Sequence, residues 1–188
     1  MKKLLVVSLC VTALLGACAS TMPMSDSMSP VTVGGAPMYP NKDIIDNAVN
    51  SKDHTTLVAA VRAAGLVDTL KSPGPFTVFA PVNAAFDALP AGTVATLLKP
   101  ENKATLTKIL TYHVVPGRLN ASDLAKQISM GGGRAALKTA SGGTLYASMV
   151  GSSVIITDEN GGAARVTIAD VNQSNGVIHV VDKVLLPK

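Results

Sequence analysis

Side chains able to do chemistry are few in this chain of 188 residues, with three histidines, two cysteines and twelve carboxylates. His54, His113 and His179 lie far apart, and none has a second ligand at the short spacing a zinc site uses. Cys10 and Cys18 both precede residue 20, so the rest of the chain has no thiol for catalysis or for a disulfide framework. There is no G-x-S-x-G elbow and no H-E-x-x-H helix. Gly131-Gly132-Gly133 leads into Arg134, without the Lys-Ser/Thr that completes a phosphate cradle. Met22, Met24, Met28 and Met38 offer soft thioethers suited to Cu(I), but no His or Cys supports them nearby, and they are read as tether residues. The chain is therefore expected to be no enzyme and to hold neither metal nor cofactor.

Cys18 is the exception, because its setting calls for modification. Met1-Lys2-Lys3 is a positive start, residues 4–15 are nearly all apolar, and Leu15-Gly16-Ala17-Cys18 looks like a bacterial lipobox. The run is too short to span a bilayer. Residues 1–17 are read as a signal peptide and Cys18 as the lipidated N-terminus, with plain cleavage at Ala19-Ser20 as the alternative. Several acyl chains would hold the protein stably. Ala19 in place of Asp directs it to the outer membrane or cell surface, periplasmic or secreted placement being the alternatives. Residues 18–40, rich in Ser, Thr, Met, Pro and Gly, read as the lipidated Cys and a flexible linker. Such a linker spans on the order of 25 Å. Net charge is +4, and +2 once Lys2 and Lys3 are removed (14 basic against 12 acidic residues). With those charges scattered, no nucleic-acid partner is expected.

The elements that must position everything else begin at residue 41. Hydrophobic residues make up 47% and aromatics only 3%, so the core has to be aliphatic, helped by Phe76, Phe79 and Phe86. Ile44, Ile45 and Val49 suggest a short helix, and Leu57, Val58, Val61 and Ala64 a longer one stopped by Gly65. Residues 76–80 read as a buried strand closed by Pro81, and Asn83 as the N-cap of a helix over 84–89. Further helices are expected at 93–98, after Pro100, and from Ser122-Asp123. Beyond Gly133 the texture turns to strands at 145–150, 154–157, 165–169 and 177–186. Helices first and strands last is an α+β layout, in one copy.

Three segments then stand out in order. Phe76-Thr77-Val78-Phe79-Ala80-Pro81-Val82-Asn83-Ala84-Ala85-Phe86, Tyr112-His113-Val114-Val115-Pro116-Gly117, and Asn175-Gly176-Val177-Ile178-His179-Val180-Val181-Asp182-Lys183-Val184-Leu185-Leu186-Pro187 resemble the three motifs of the fasciclin (FAS1) family. The resemblance covers residues 41–188. It implies a wedge of two antiparallel β-sheets flanked by short helices, and a surface protein that mediates adhesion through an unidentified protein or matrix partner. Many tethered copies would act together through avidity. Binding of a small hydrophobic ligand (carotenoid or lipid) and a purely structural envelope role are the other functions it leaves open.

The resemblance also marks residues. Phe79 and Phe86 are expected as core anchors, Asn83 as a cap, Asn175-Gly176 as a turn able to take positive φ, and His179 as part of the last motif. Tyr112 and His113 correspond to a Tyr-His segment implicated in adhesion in animal relatives, with a core hydrogen bond as the competing role. Asp170-Val171 sits where those relatives carry an adhesive Asp-Ile pair, with a solvated turn carboxylate as the alternative.

Overall fold

Strand β3 (Phe76–Pro81) is buried at all but its first residue, and its pairing explains why. The computed structural model, which describes residues 29–188, places it inside a seven-stranded sheet. On one side β3 pairs antiparallel with β4 (Val114–Pro116), and on the other it runs parallel to β9 (Gly176–Val181). A hairpin cannot join parallel neighbours, so the rest of the domain forms the crossover between them. The remaining strands are β5 (Arg134–Lys138), β6 (Thr144–Val150), β7 (Ser153–Thr157) and β8 (Ala163–Gln173), and the sheet order is β4-β3-β9-β8-β7-β6-β5. Strand β8 belongs to both halves. Its first residues pair with β7 and its later ones with β9, with register shifts on either side of Ile168 that bend the sheet. This is the expected α+β wedge, two sheets joined through one bent strand, with the parallel β3–β9 pair as its departure from a purely antiparallel plan.

Alternation along β3 feeds two cores. Val78 and Ala80 join Ile178, Val180 and the helices α1 (Ile44–Ala48), α2 (Thr55–Ala64) and α6 (Lys103–Tyr112). Phe79 faces the other way, into Tyr112, Leu124, Leu145, Ile156 and Leu185, beneath α7 (Ala121–Met130). Phe79 and Phe86 are thus both core anchors, but of different cores. Short helices α3 (Val67–Lys71), α4 (Asn83–Asp87) and α5 (Thr93–Leu97) complete the helical side.

Three expectations need correction. The linker read over residues 18–40 ends sooner: β1 (Val31–Val33) and β2 (Ala36–Met38) form a hairpin, and Val33 and Met38 are 1% exposed in the first core. Gly34-Gly35, both at positive φ, make the turn. Pro37 is tolerated because each strand of a two-stranded ribbon has a free edge. The signal segment 1–17, Cys18, Met22, Met24 and Met28 lie outside the described residues.

Asn83, second, does not cap its own helix. Its Oδ1 accepts the Thr56 N–H (3.0 Å) and the Thr55 hydroxyl (3.2 Å), while Nδ2 donates to the Lys52 carbonyl (2.8 Å). It therefore caps α2, whose own preceding residue, His54, makes no side-chain cap bond. Third, Gly176 is not at positive φ. A Cβ there would stand 2.1 Å from the Phe76 carbonyl oxygen, so the glycine lets β9 close on β3. Strand β5, its side chains alternately exposed and buried, was absent from the periodicity reading because five residues behind three glycines carry a weak signal.

Candidate functional site

The motif residues converge where β3, β9, α6 and the C-terminal segment meet. Tyr112 ends α6 and is wholly buried. Its hydroxyl donates to the Thr144 carbonyl (2.9 Å) and accepts the Glu159 N–H (3.1 Å). Burial raises its pKa. A Cβ on Gly143 would stand 2.6 Å from the Tyr112 ring, so the chain crosses the ring as glycine.

His113 follows, also buried. Its Nδ1–H donates to the Ile109 carbonyl (2.8 Å), and its Nε2 accepts the Leu185 N–H (3.0 Å). These two bonds need one neutral tautomer, and burial pushes the pKa down to about 4. His179 repeats the arrangement on β9. Nε2–H donates to the Leu119 carbonyl (2.8 Å), Nδ1 accepts the Asp170 N–H (3.3 Å), and the ring stacks on Phe79 at 5.7 Å. Burial again lowers its pKa.

Asp170 is the one non-glycine residue at positive φ (58°) among the described residues. One carboxylate oxygen accepts the Ala121 N–H at 2.6 Å, at the first turn of α7. Half-exposed, it caps a helix from a neighbouring strand. Val171, wholly buried, packs opposite Ile178. Asn175 is a third hub. Its Oδ1 accepts the Ile44 N–H (3.1 Å), and Nδ2 donates to the carbonyls of Leu70 (2.7 Å) and Ser72 (3.0 Å).

The structure brings the named residues together, but as a joint rather than a contact surface. Tyr112, His113 and Val171 are buried, and in this structure they are engaged in packing and, for Tyr112 and His113, in internal hydrogen bonds. Thr77, a motif residue given no role of its own, and Asp158, outside the motifs, complete the joint. Thr77 donates to the Gly117 carbonyl (2.7 Å) and accepts the Leu119 N–H (2.9 Å). Asp158 accepts the N–H groups of Asn160, Gly162 and Leu186. The Asp158-Glu159-Asn160-Gly161 run was a readable turn signal, whereas Thr77 inside a strand gave none.

Chemically the joint has little to offer a substrate. Among the described residues no group of three or more His, Cys, Asp or Glu side chains could hold a metal ion. His54 Nδ1 lies 2.9 Å from the Ser51 hydroxyl, but both residues are about 1% exposed, out of reach of a substrate. His54 also borders an apolar cavity of about 80 Å³, walled by Met38, Leu57, Val61, Leu110 and Ile178. A shallow groove of about 490 Å³ runs past Lys42, Val49, Arg62 and Lys71, where Lys71 is already bound to Asp46 (2.6 Å).

The wedge topology and the three motifs locked into its joint together define the kind of domain this chain forms. The fasciclin domain model matches residues 52–187, and the chain belongs to the fasciclin domain family. It is 48% identical over 148 residues to Protein sll1483 of Synechocystis sp., covering 77% of this chain and 73% of that protein. Immunogenic protein MPB70 of Mycobacterium bovis is 37% identical over 149 residues, 74% of this chain and 66% of the relative. In fold it is similar to a FAS1 domain pair from the insect cell adhesion molecule fasciclin I, with a TM-score of 0.68 and 19% identity over 84% of this chain and 57% of that one.

Proposed function

We propose that this protein is an exported fasciclin module, held at the cell surface through Cys18, that attaches the cell to a protein or matrix partner without catalysing a reaction. The observation that carries the reading is the state of the polar groups in the motifs: in a fasciclin fold, the hydroxyl and imidazoles of Tyr112, His113 and His179 are all committed to internal hydrogen bonds. Such groups build a stiff scaffold, and a stiff scaffold presents loops for binding at low entropic cost. The name of the fold neighbour, a cell adhesion molecule, points the same way. Residues 1–17 and the Leu-Gly-Ala-Cys ending support export and anchoring.

The ligand-carrier alternative is weaker. The cavity beside His54, about 80 Å³, is smaller than the roughly 150 Å³ engineered cavity that holds benzene. A carotenoid or acyl chain would have to open the core to enter.

Attachment under flow tests the reading. A deletion strain should detach at lower shear than its parent, and the full gene should restore attachment; equal attachment without the protein would overturn it. Cys18→Ala should release the protein from membranes washed in high salt, and retention of the variant would remove the anchor from the proposal.

A further inference from the structure

We propose that the free end of the β5–β6–β7 sheet, where the α7–β5 connection meets the β6–β7 hairpin, is the surface that engages a protein partner, and that this partner presents an apolar patch beside a carboxylate. The inference rests on the adhesion reading and names where and with what chemistry it operates. Three of the six large hydrophobic residues left exposed among the described residues gather here: Met130 at 87%, Val150 at 60% and Met149 at 39%. Register places them together. Arg134 pairs with Ser148, so the glycines before Arg134 run alongside Met149 and Val150. Met130 closes α7 just ahead of those glycines, where Gly133 N–H donates to the Ile128 carbonyl (2.8 Å) and Gly131 N–H to the Gln127 carbonyl (2.9 Å). Alternation sends Met149 to the α7 side, and Val150 and Arg134 to the outer side.

The chemistry at this end is that of an interface. Methionine, arginine and tyrosine are enriched at protein contacts, and methionine adapts to the surface it meets. Arg134 lies over the Tyr146 ring at 3.7 Å and belongs to no ion pair among the described residues. Held there by the ring, the guanidinium keeps its planar fork of donors for a carboxylate. No Asp or Glu occurs between residues 124 and 157; Lys126, one turn before Met130, pairs with Asp123 (3.8 Å), and Lys138 lies at the far end of β5, so Arg134 is the cation of the tip that has no counter-ion among the described residues. A symmetric pair of copies meeting at this tip would bring two unpaired Arg134 side chains into one interface, with no carboxylate from residues 124–157 to answer either. Stable membrane docking wants a cluster of free cations, and at the tip Arg134 is the one without a counter-ion. An acidic, apolar protein patch satisfies both features.

The test uses the full chain in the cells that make it. A photo-crosslinking p-benzoylphenylalanine replaces Val150 in one strain and Ser122, exposed at the other end of α7, in a control. The expected result is an adduct from position 150 alone, to a foreign protein whose peptide at the link is acidic and apolar. Arg134→Glu should cut its yield about tenfold and Arg134→Lys less, tenfold being the effect of one well-made charge contact. An adduct to a second copy or to lipid, equal adducts at both positions, or no adduct would each overturn the proposal. The deletion strain separates the two ideas: lost attachment with full rescue by a Met130→Ser, Val150→Ser, Arg134→Glu variant discards the tip and keeps adhesion. Unchanged attachment discards adhesion, and the tip then stands or falls on the adduct.

Discussion

At the joint of the wedge, Tyr112, His113, His179 and Asn175 are buried, and their side-chain polar atoms have partners at hydrogen-bond distance. At the free end of β5 and β6, Met130, Met149, Val150 and Arg134 face solvent, with only the Arg134–Tyr146 stack between them and water. A motif that is recognisable in sequence marks the first region, and nothing marks the second. The difference teaches that the family signature here records what the fold cannot do without. On the proposed reading, contact with other molecules falls to positions that the fold leaves unconstrained.

Breaking the joint should produce the largest effects. Asn175→Ala strands the Ile44 N–H and removes the donor to the Leu70 and Ser72 carbonyls. Leaving buried groups unpaired at 1–3 kcal/mol each puts the loss at about 4 kcal/mol, read as a lower urea midpoint with the slope unchanged. A loss within 1 kcal/mol would show that the hub relaxes onto water and that the joint is less rigid than its bonds suggest.

The joint also titrates. His113 protonates near pH 4 when folded and near 6.5 when unfolded, so between those values the unfolded chain holds more protons. Stability is therefore fully present above pH 6.5 and declines as pH falls towards 4, by about 3 kcal/mol from this residue. His54 and His179, also lowered by burial, add in the same direction. Urea midpoints from pH 7 to 4 should fall for the parent and fall less for His113→Gln. Parallel profiles would assign the pH dependence to other groups.

Asp170 tests the comparison at its border, since the resemblance offers it as a contact and the structure uses it as a cap. Asp170→Ala removes the bond to the Ala121 N–H and forces a β-carbon residue less tolerant of positive φ into that conformation. Cap and conformation together put the loss at about 2 kcal/mol, with Asp170→Asn losing roughly half of that because Asn tolerates both. If attachment falls only as far as the folded fraction does, Asp170 is structural. A loss of attachment at unchanged stability would return it to the binding surface.

Much of this fold was legible because local rules and long-range packing agree. The 3.6-residue spacing of Leu57, Val58, Val61 and Ala64, and Gly65 in the left-handed conformation (φ 72°), gave α2 its extent. The apolar run of β3 was legible for the same reason. What stayed hidden depends on partners distant in sequence. Asn83 reads as a cap for the helix that follows it, yet the helix it serves lies about 27 residues earlier in the chain. The hairpin at Val31–Met38 has the composition of a tether and is held by Val33 and Met38 entering a core formed by later residues. Nor could spacing reveal whether Tyr112 and His113 point inward, because a motif names residues and not the side from which they are covered. The exposed tip left no signal, since Met130 and Val150 are ordinary apolar positions until the register shows where α7 and β6 end.

Met130→Ser and Val150→Ser, at the far side of the comparison, should change stability least. Each removes apolar surface that is already in water, so folding loses almost no burial, and substitutions of this kind stay within about 0.5 kcal/mol. Arg134→Glu gives up a cation–π contact worth about 0.5–1 kcal/mol at an exposed site and should cost slightly more than the two serine variants. The expected pattern is inverse to that of Asn175→Ala: near-parental urea midpoints combined with lost attachment. A tip variant that melts like the parent and also attaches like it would leave the exposed methionines as ordinary surface. One that destabilises the domain by 2 kcal/mol or more would mean that the tip is packed, and that the division between a committed joint and an uncommitted end does not hold.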